Sequence, residues 1–167
     1  CHEHAGPALR ASQLVVWAVK PQVFQEVAQP LAGLFAQALH LSVAAGVRSD
    51  SMCRWLGTKR VVRAMPNTPA LVGLGQTGLF ARSGVTPAER DQVQALMQAV
   101  GQSVWVETED LLDAVTAVSG SGPAYVFFFI EAMVQAGVNM GLSAEQAHQL
   151  AVGTFVGASE LARSSKE

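Results

Sequence analysis

The sequence predicts an α/β domain with a mainly parallel sheet, followed by a region built of helices alone. Three observations support this fold class. Short apolar runs alternate with segments of helical periodicity up to about residue 109, and from Asp110 onward only the helical period remains. Near this junction, the stretch Thr116–Tyr125 is rich in small residues that bury little surface and can begin a helix. We therefore expect two domains, residues 1–109 and 110–167.

Five strands are predicted, each a short apolar run closed by a turn signal. The first has the continuous apolar pattern of a strand covered on both faces of a sheet. The five runs are Leu14–Ala18, Leu39–Ala44, Arg60–Met65, Gln76–Ala81 and Ser103–Glu107.

Helices are predicted between these strands by apolar residues at helical spacing. Pro21 suits the first turn of one such helix, whereas Pro30 should kink or divide it. Ser49 or Asp50 is expected to cap a short helix. Thr86 is expected to cap a longer helix that ends near residue 100.

The C-terminal region is predicted to hold three helices. One follows Asp110, the second begins at Pro123 and stops at Gly141, and the third is capped by Ser143. The second helix is apolar on every side over Val126–Ile130. Because such a helix must be covered all round, we expect a second copy of the chain to supply part of the cover.

Composition narrows the classes of function. The chain has 167 residues, is 50% hydrophobic and carries a net charge of −2, so nucleic acid is not an expected partner. The longest apolar run is too short to span a membrane, for which roughly 20 residues are needed. Two cysteines favour a reduced, cytoplasmic setting. His2 and His4 are interpreted as a solvated pair, and no metal site is expected.

A ligand site is predicted where the first three strands end, since ligands bind beyond the carboxyl ends of parallel strands. Small residues in the first two loops let a flat ligand approach the backbone, and the third loop offers the polar side chains of Asn67 and Thr68. The three loops are Ala18–Pro21, Val43–Gly46 and Met65–Pro69. This pattern predicts a pocket without naming its ligand.

Two other patterns are weaker. Gly73–Gly78 matches GxGxxG, but it leads into a strand instead of opening a helix, so we do not interpret it as a phosphate site. The acidic residues after the fifth strand could serve a substrate amine or iminium, although such residues more often satisfy a helix N-terminus. For Glu107, Asp110 and Asp113 we favour the structural interpretation.

The order and spacing of five motifs closely resemble pyrroline-5-carboxylate reductase along nearly the whole chain. The motifs are Ala18–Pro21, Ser42–Gly46, Arg63–Pro69, Glu109–Thr116 and Ser119–Tyr125. The resemblance implies a Rossmann-type domain followed by an all-helical dimerisation domain, which forms homodimers and often decamers. It also implies hydride transfer from NADPH or NADH to pyrroline-5-carboxylate, which yields proline.

The resemblance further implies roles for individual residues. Those expected to line the nicotinamide and its ribose are Ala18, Val19, Lys20, Pro21, Val43, Ala44, Ala45 and Asn67. Those expected to face the substrate are Glu109, Thr116 and Ser121. An acidic residue of the family near the chain end corresponds to Glu167, and no residue is assigned as catalytic.

The resemblance places the family's glycine fingerprint before Cys1 and its substrate loop after Glu167, so this 167-residue piece is expected to be inactive by itself. Two alternatives stay open. The chain could belong to another two-domain imine or 2-hydroxy-acid dehydrogenase, or it could be only an assembly module of such an enzyme. The residues that choose between NADPH and NADH are not in the sequence.

Overall fold

The computed structural model describes residues 7–165 and shows two compact units, Cys1–Gly120 and Ser121–Glu167. The first is an α/β unit and the second is helical, as the sequence predicts. The break in compactness lies within the predicted junction Thr116–Tyr125. The domain boundary between residues 109 and 110 stays a prediction.

The α/β unit is built on a five-stranded sheet whose strands are hydrogen-bonded in chain order. β1 to β3 run parallel, β4 is antiparallel to β3, and β5 is parallel to β4. The mainly parallel sheet is therefore confirmed. The strands are β1 Leu14–Trp17, β2 Leu39–Ser42, β3 Val61–Met65, β4 Gly75–Ala81 and β5 Gly101–Trp105.

From residue 7 onward, four α-helices, several 3-10 turns and one π turn complete this unit. Pro30 lies in the 3-10 segment Gln29–Leu34, so the helix that follows β1 is divided where the proline removes a backbone donor. The α-helices are α1 Phe24–Ala28, α2 Ser49–Leu56, α3 Pro87–Gln98 and α4 Leu111–Val115. The 3-10 segments are Pro7–Ala11, Pro21–Val23, Gln29–Leu34 and Thr68–Val72, and the π turn is Thr116–Gly120.

Two apolar clusters cover the two faces of the sheet. Helices α1 and α2 pack on one face, where Phe24 and Met52 are fully buried. Helix α3 packs on the other through Val93 and Met97. Val16 in β1 is nevertheless 48% exposed, so the prediction that this strand is covered on both faces is wrong within residues 7–165. The α3 cluster is built on β2, β3 and β4 and does not reach over Val16.

One predicted cap is confirmed and one is wrong. The Thr86 hydroxyl accepts a hydrogen bond from the Glu89 N–H at 3.3 Å, and the Glu89 carboxylate accepts one from the Thr86 N–H at 2.8 Å. Helix α2 already includes Ser49, so the cap position falls on Arg48 and not on Ser49 or Asp50. Among the described residues, the Arg48 side chain makes no cap hydrogen bond. Ser49 is instead a first-turn residue whose hydroxyl donates elsewhere.

The helical unit consists of α5 Gly122–Asn139 and α6 Ala144–Ser164. Gly141 has a φ of +104°, which favours glycine, and it ends the first helix as expected. The Ser143 hydroxyl accepts from the Gln146 N–H at 3.1 Å, so the predicted cap of α6 is confirmed. Gly137 is buried and lies so close to Ala147 that the two helices meet through small residues.

Helix α5 leaves most of its large apolar side chains uncovered within one chain. Phe128 is 67% exposed, and Phe127 and Phe129 are similarly open. The helical run Leu111–Asn139 is also long and apolar enough to cross a membrane, on length and composition alone. An apolar surface of this kind calls for cover from outside the chain.

Candidate functional site

The three loops predicted to form a site lie at one edge of the sheet. β1, β2 and β3 are parallel, so their carboxyl ends meet at this edge. β4 and β5 run the other way, and their amino ends lie there too. The edge therefore collects the loop after β1, the loop Val43–Arg48 after β2 and the segment Pro66–Thr68 after β3. This is where a ligand of an open parallel sheet is expected.

The first two loops and helix α2 enclose a cleft of about 440 Å³. Its lining includes Pro21, Ala45, Gly46, Arg48 and Trp55. The small residues leave the backbone approachable, and the Arg48 guanidinium at the rim pairs with Asp110 at 2.9 Å. The cleft thus lets a flat ligand approach the backbone of the second loop.

The predicted cofactor residues of these loops differ in exposure. Ala18, Lys20, Pro21 and Ala45 are exposed, and Val19 and Val43 are half-buried. Ala44 is buried in the α1–α2 cluster, and its N–H donates to the Ser42 hydroxyl.

The side chain of Asn67 connects three segments of the α/β unit. Its Nδ2 donates to the Ser119 carbonyl at 3.0 Å, and its Oδ1 accepts from the Gln76 N–H at 2.9 Å. Both ends of the amide thus have protein partners. A groove of about 390 Å³ runs beside it, lined by Pro66, Thr68, Ala70, Leu71 and Gly120 among others. Asn67 holds this corner of the site in shape.

Thr116 begins the π turn that follows α4. Its hydroxyl donates to the Leu112 carbonyl at 2.7 Å, and the Ser119 hydroxyl donates to the Val115 carbonyl at 3.0 Å. Single π turns inside helices often occur at functional sites, because the widened turn redirects backbone groups. Here one such group, the Ser119 carbonyl, is the acceptor for Asn67. The sequence predicted a continuous helix and carried no signal for this turn.

Glu109 lies after β5 and is 7% exposed. Its Oε1 accepts from the Ser49 N–H at 2.7 Å and from Arg63 Nη1 at 3.0 Å, and its Oε2 accepts from the Ser49 hydroxyl at 2.6 Å. Burial alone would raise the pKa of Glu109, but the bonds from Ser49 and Arg63 outweigh it and lower the pKa. The carboxylate is ionised, and both of its oxygens are engaged by protein.

Ser121, the third residue expected to face the substrate, belongs to the helical unit. It occupies the cap position of α5 and is half-buried, and among residues 7–165 its side chain makes no cap hydrogen bond. Its hydroxyl is therefore not committed to capping α5. Its role, like those of Glu109 and Thr116, stays a prediction.

Sequence reasoning missed two polar residues of this region. Arg63 is only 4% exposed and sits within β3. A cation inside a strand predicted to be buried requires a partner, and that signal could have revealed Arg63. Ser49 was assigned as a cap, which hid its contact with a carboxylate 60 residues away in the chain.

The glycines of the GxGxxG match have structural roles that need no ligand. Gly73 has a φ of +74° and ends a 3-10 segment. A Cβ on Gly75 would lie 2.8 Å from the Val100 carbonyl oxygen, and one on Gly78 would lie 2.7 Å from a Val115 methyl. The segment leads into β4, so rejecting it as a phosphate site agrees with its place in the fold.

Metal ligands were not expected. No group of three or more His, Cys, Asp or Glu side chains able to hold a metal ion occurs among residues 7–165. His2, His4 and Glu167, which the sequence analysis considered, lie outside the described residues.

Comparison with known proteins identifies the relatives of this chain. Residues 109–167 match the family model described as pyrroline-5-carboxylate reductase dimerisation. A pyrroline-5-carboxylate reductase of Pseudomonas aeruginosa is 46% identical over 166 residues, which cover 98% of this chain and 61% of that protein. The chain thus spans about three-fifths of the length of this curated relative.

Solved structures give the same result. A pyrroline-5-carboxylate reductase from Coxiella burnetii superposes with a TM-score of 0.89 at 39% identity, covering 96% of this chain and 60% of that one. A pyrroline carboxylate reductase from Plasmodium falciparum with NADP bound gives 0.88 at 30% identity, with 98% and 66% covered. Over the portion that it spans, the chain is therefore similar to pyrroline-5-carboxylate reductases in both sequence and fold.

Proposed function

We propose that the protein containing this chain reduces 1-pyrroline-5-carboxylate to L-proline with NADPH or NADH, the last step of proline biosynthesis. The observation that carries the proposal is the 46% identity to a pyrroline-5-carboxylate reductase over 98% of the chain, which includes all three loops at the sheet edge. Curated relatives of the same name extend to plants at 37% identity, which favours this reaction over that of another two-domain dehydrogenase.

The sheet edge supports a nicotinamide cofactor. The cleft beside Ala45 and Arg48 lies beyond the carboxyl ends of parallel strands and has room for part of a dinucleotide. We assign Ala18–Pro21, Val43–Ala45 and Asn67 to this group. When bound, the reduced nicotinamide supplies a hydride to the imine carbon of pyrroline-5-carboxylate, and the nitrogen of the pyrroline ring gains a proton.

The protein's task in this reaction is to orient two planar groups and exclude water. The loop residues hold one group at the sheet edge, and Asn67 keeps the third loop and the π turn in register through its two bonds. We assign Thr116 and Ser121 to substrate binding. The Glu109 carboxylate is engaged by Ser49 and Arg63, which supports a role behind the site.

We propose that the protein is a homodimer formed through the helical unit. The exposed aromatic residues of α5 and the dimerisation match over residues 109–167 support a second copy as their cover, in preference to a membrane. Light scattering would separate a dimer from the decamer that the family resemblance implies. A cytoplasmic location is part of the same proposal.

The test is oxidation of NADPH or NADH in the presence of pyrroline-5-carboxylate, measured for the full reading frame that encodes this chain and for the 167 residues alone. We expect turnover in the full protein and none in the shorter chain. Absence of turnover in both, with other imines also tested, would overturn the proposed function. A dimer without cofactor binding would identify an assembly module instead.

The residue assignments have their own test. We expect Asn67→Ala and Thr116→Ala to lower kcat/KM of the full protein at least about tenfold, since a misplaced group at the reacting centre is costly. Thr108→Ala, at an exposed position of the loop after β5, is the matched control. Unchanged kcat/KM in both variants would show that the site lies elsewhere.

A further inference from the structure

The side chain of Glu109 makes its hydrogen bonds with distant parts of the chain. It follows β5, yet it bonds to the first residue of α2 and to β3. We infer that Glu109 is a positioning residue, which clamps the start of α2 and thereby holds the loop Val43–Arg48 in place for the cofactor. This inference rests on the proposed function.

This clamp, the pair of hydrogen bonds from Ser49 to Glu109, takes the place of a missing helix cap. The first backbone N–H groups of a helix have no partner within it, and a carboxylate at this end also interacts favourably with the helix dipole. Arg48, at the cap position of α2, provides no side-chain bond among the described residues. The Glu109 carboxylate instead accepts hydrogen bonds from both the N–H and the hydroxyl of Ser49, at 2.7 and 2.6 Å.

Buried and surface charges surround the clamp. Arg63, itself buried, neutralises Glu109 from the side of β3 at 3.0 Å. Arg48 pairs with Asp110 at 2.9 Å and lies 3.9 Å from Glu109, so the end of the loop is attached to the same segment twice. The Ser49 hydroxyl lies 3.5 Å from Arg82, which pairs with Asp50.

The loop between β2 and α2 is therefore held at both ends. At its start the Ala44 N–H donates to the Ser42 hydroxyl at 3.2 Å, and at its end Ser49 is held by Glu109. Ala45, Gly46 and Arg48 lie between these points and line the cleft. Releasing one end leaves the middle of the loop free to shift, which weakens binding of any ligand that depends on its backbone.

The experiment compares three variants of the full reading frame. Glu109→Gln removes the charge, Ser49→Ala removes one hydrogen bond but keeps the pair of Glu109 with Arg63, and Glu107→Gln changes an exposed glutamate of the same loop. Hydrogen exchange of each amide, KM for the nicotinamide cofactor, kcat and the melting temperature are measured for all three. Ser49→Ala decides the outcome if Glu109→Gln does not fold.

We expect exchange of the amides of residues 45–49 to rise about tenfold or more in Glu109→Gln, as befits a lost bond to a charged group, and less in Ser49→Ala. KM for the cofactor should rise severalfold in both, with kcat at saturation changed much less. Glu107→Gln should match the wild type. A purely structural role would raise exchange throughout the α/β unit and lower the melting temperature without moving KM.

The outcomes separate this inference from the proposed function. Unchanged local exchange, or an unchanged cofactor KM in both variants, would overturn the clamp. A wild type that binds the cofactor but does not turn over pyrroline-5-carboxylate would overturn only the reaction, and cofactor dissociation constants would then replace KM. A wild type that binds neither nucleotide would overturn the cofactor role, and the exchange data would still show whether Glu109 holds the loop.

Discussion

The α/β unit and the helical unit bury their apolar residues to different extents. In the first, helices of the same chain pack on both faces of the central strands, and even a charged pair, Arg63 and Glu109, is enclosed. In the second, α5 and α6 bury chiefly small residues against each other and leave Phe127, Phe128 and Phe129 open. The apolar core of a unit can be completed within one chain, or it can require a second chain. Exposed aromatic residues indicate the second case.

The largest expected effect tests the exposed aromatic residues of α5 in the helical unit. Phe128→Asp should abolish the proposed dimer, because a carboxylate cannot be buried among apolar side chains without a partner. Light scattering of the full protein would show the change from dimer to monomer. Leu96→Asp, a partly exposed leucine of α3 in the α/β unit, should leave the assembly intact. A dimer that survives Phe128→Asp would show that α5 is not its interface.

The next largest effect tests the buried charged pair in the core of the α/β unit. Arg63→Met leaves the Glu109 carboxylate without its buried cation, so we expect a loss of about 3–5 kcal/mol in the free energy of unfolding. Urea denaturation of the full protein measures this loss. Arg163→Met removes an exposed pair with Glu160 on α6 and should leave the unfolding free energy unchanged. Equal effects of the two substitutions would contradict the comparison.

A glycine in each unit tests packing more finely. A Cβ at Gly78 would lie 2.7 Å from a Val115 methyl, so Gly78→Ala should cost about 1–3 kcal/mol of stability. Within the described chain no atom lies within 4 Å of a Cβ at Gly153, so Gly153→Ala in α6 should stabilise the isolated chain by up to about 1 kcal/mol. Thermal unfolding measures both. Should Gly153→Ala weaken the dimer instead, a second copy packs on that face.

The smallest effect is a pH dependence that arises in the buried core of the α/β unit. His40 is buried, with Trp17 Nε1 donating to its Nδ1 at 3.0 Å, and desolvation lowers its pKa below 6.5. Stability from the neutral imidazole is complete above pH 6.5 and is lost as the pH falls below it, by at most about 1.4 kcal/mol per pH unit for one proton.

Denaturation as a function of pH, with His40→Gln as the control, measures the His40 effect. Glu109 acts in a lower range, because its pKa is lowered from 4.5 and its stabilisation is lost only below that pH. If the profile between pH 5 and 6.5 were the same in His40→Gln, the imidazole would not be its source.

Much of the site was predictable from local patterns, but its connections were not. The three strand-end loops were found because apolar runs are local and their turn signals follow at once. The contacts of Asn67 with Ser119 and of Glu109 with Ser49 join residues 52 and 60 positions apart, and no local pattern encodes such pairs. The π turn was missed because it is a single turn, Thr116–Gly120, which is too short to change an apolar period read over the whole segment.

The sequence by itself determined the alternation of strands and helices, the caps at Thr86 and Ser143 and the apolar character of α5, because each depends on residues within a few positions of one another. Only the tertiary structure decided that Ser49 meets a distant carboxylate instead of capping its helix. It alone also showed that β1 is exposed at Val16 and that α5 leaves its aromatic residues uncovered within the described chain. Burial and long-range hydrogen bonds are properties of the assembled fold, so they are set only when distant segments come together.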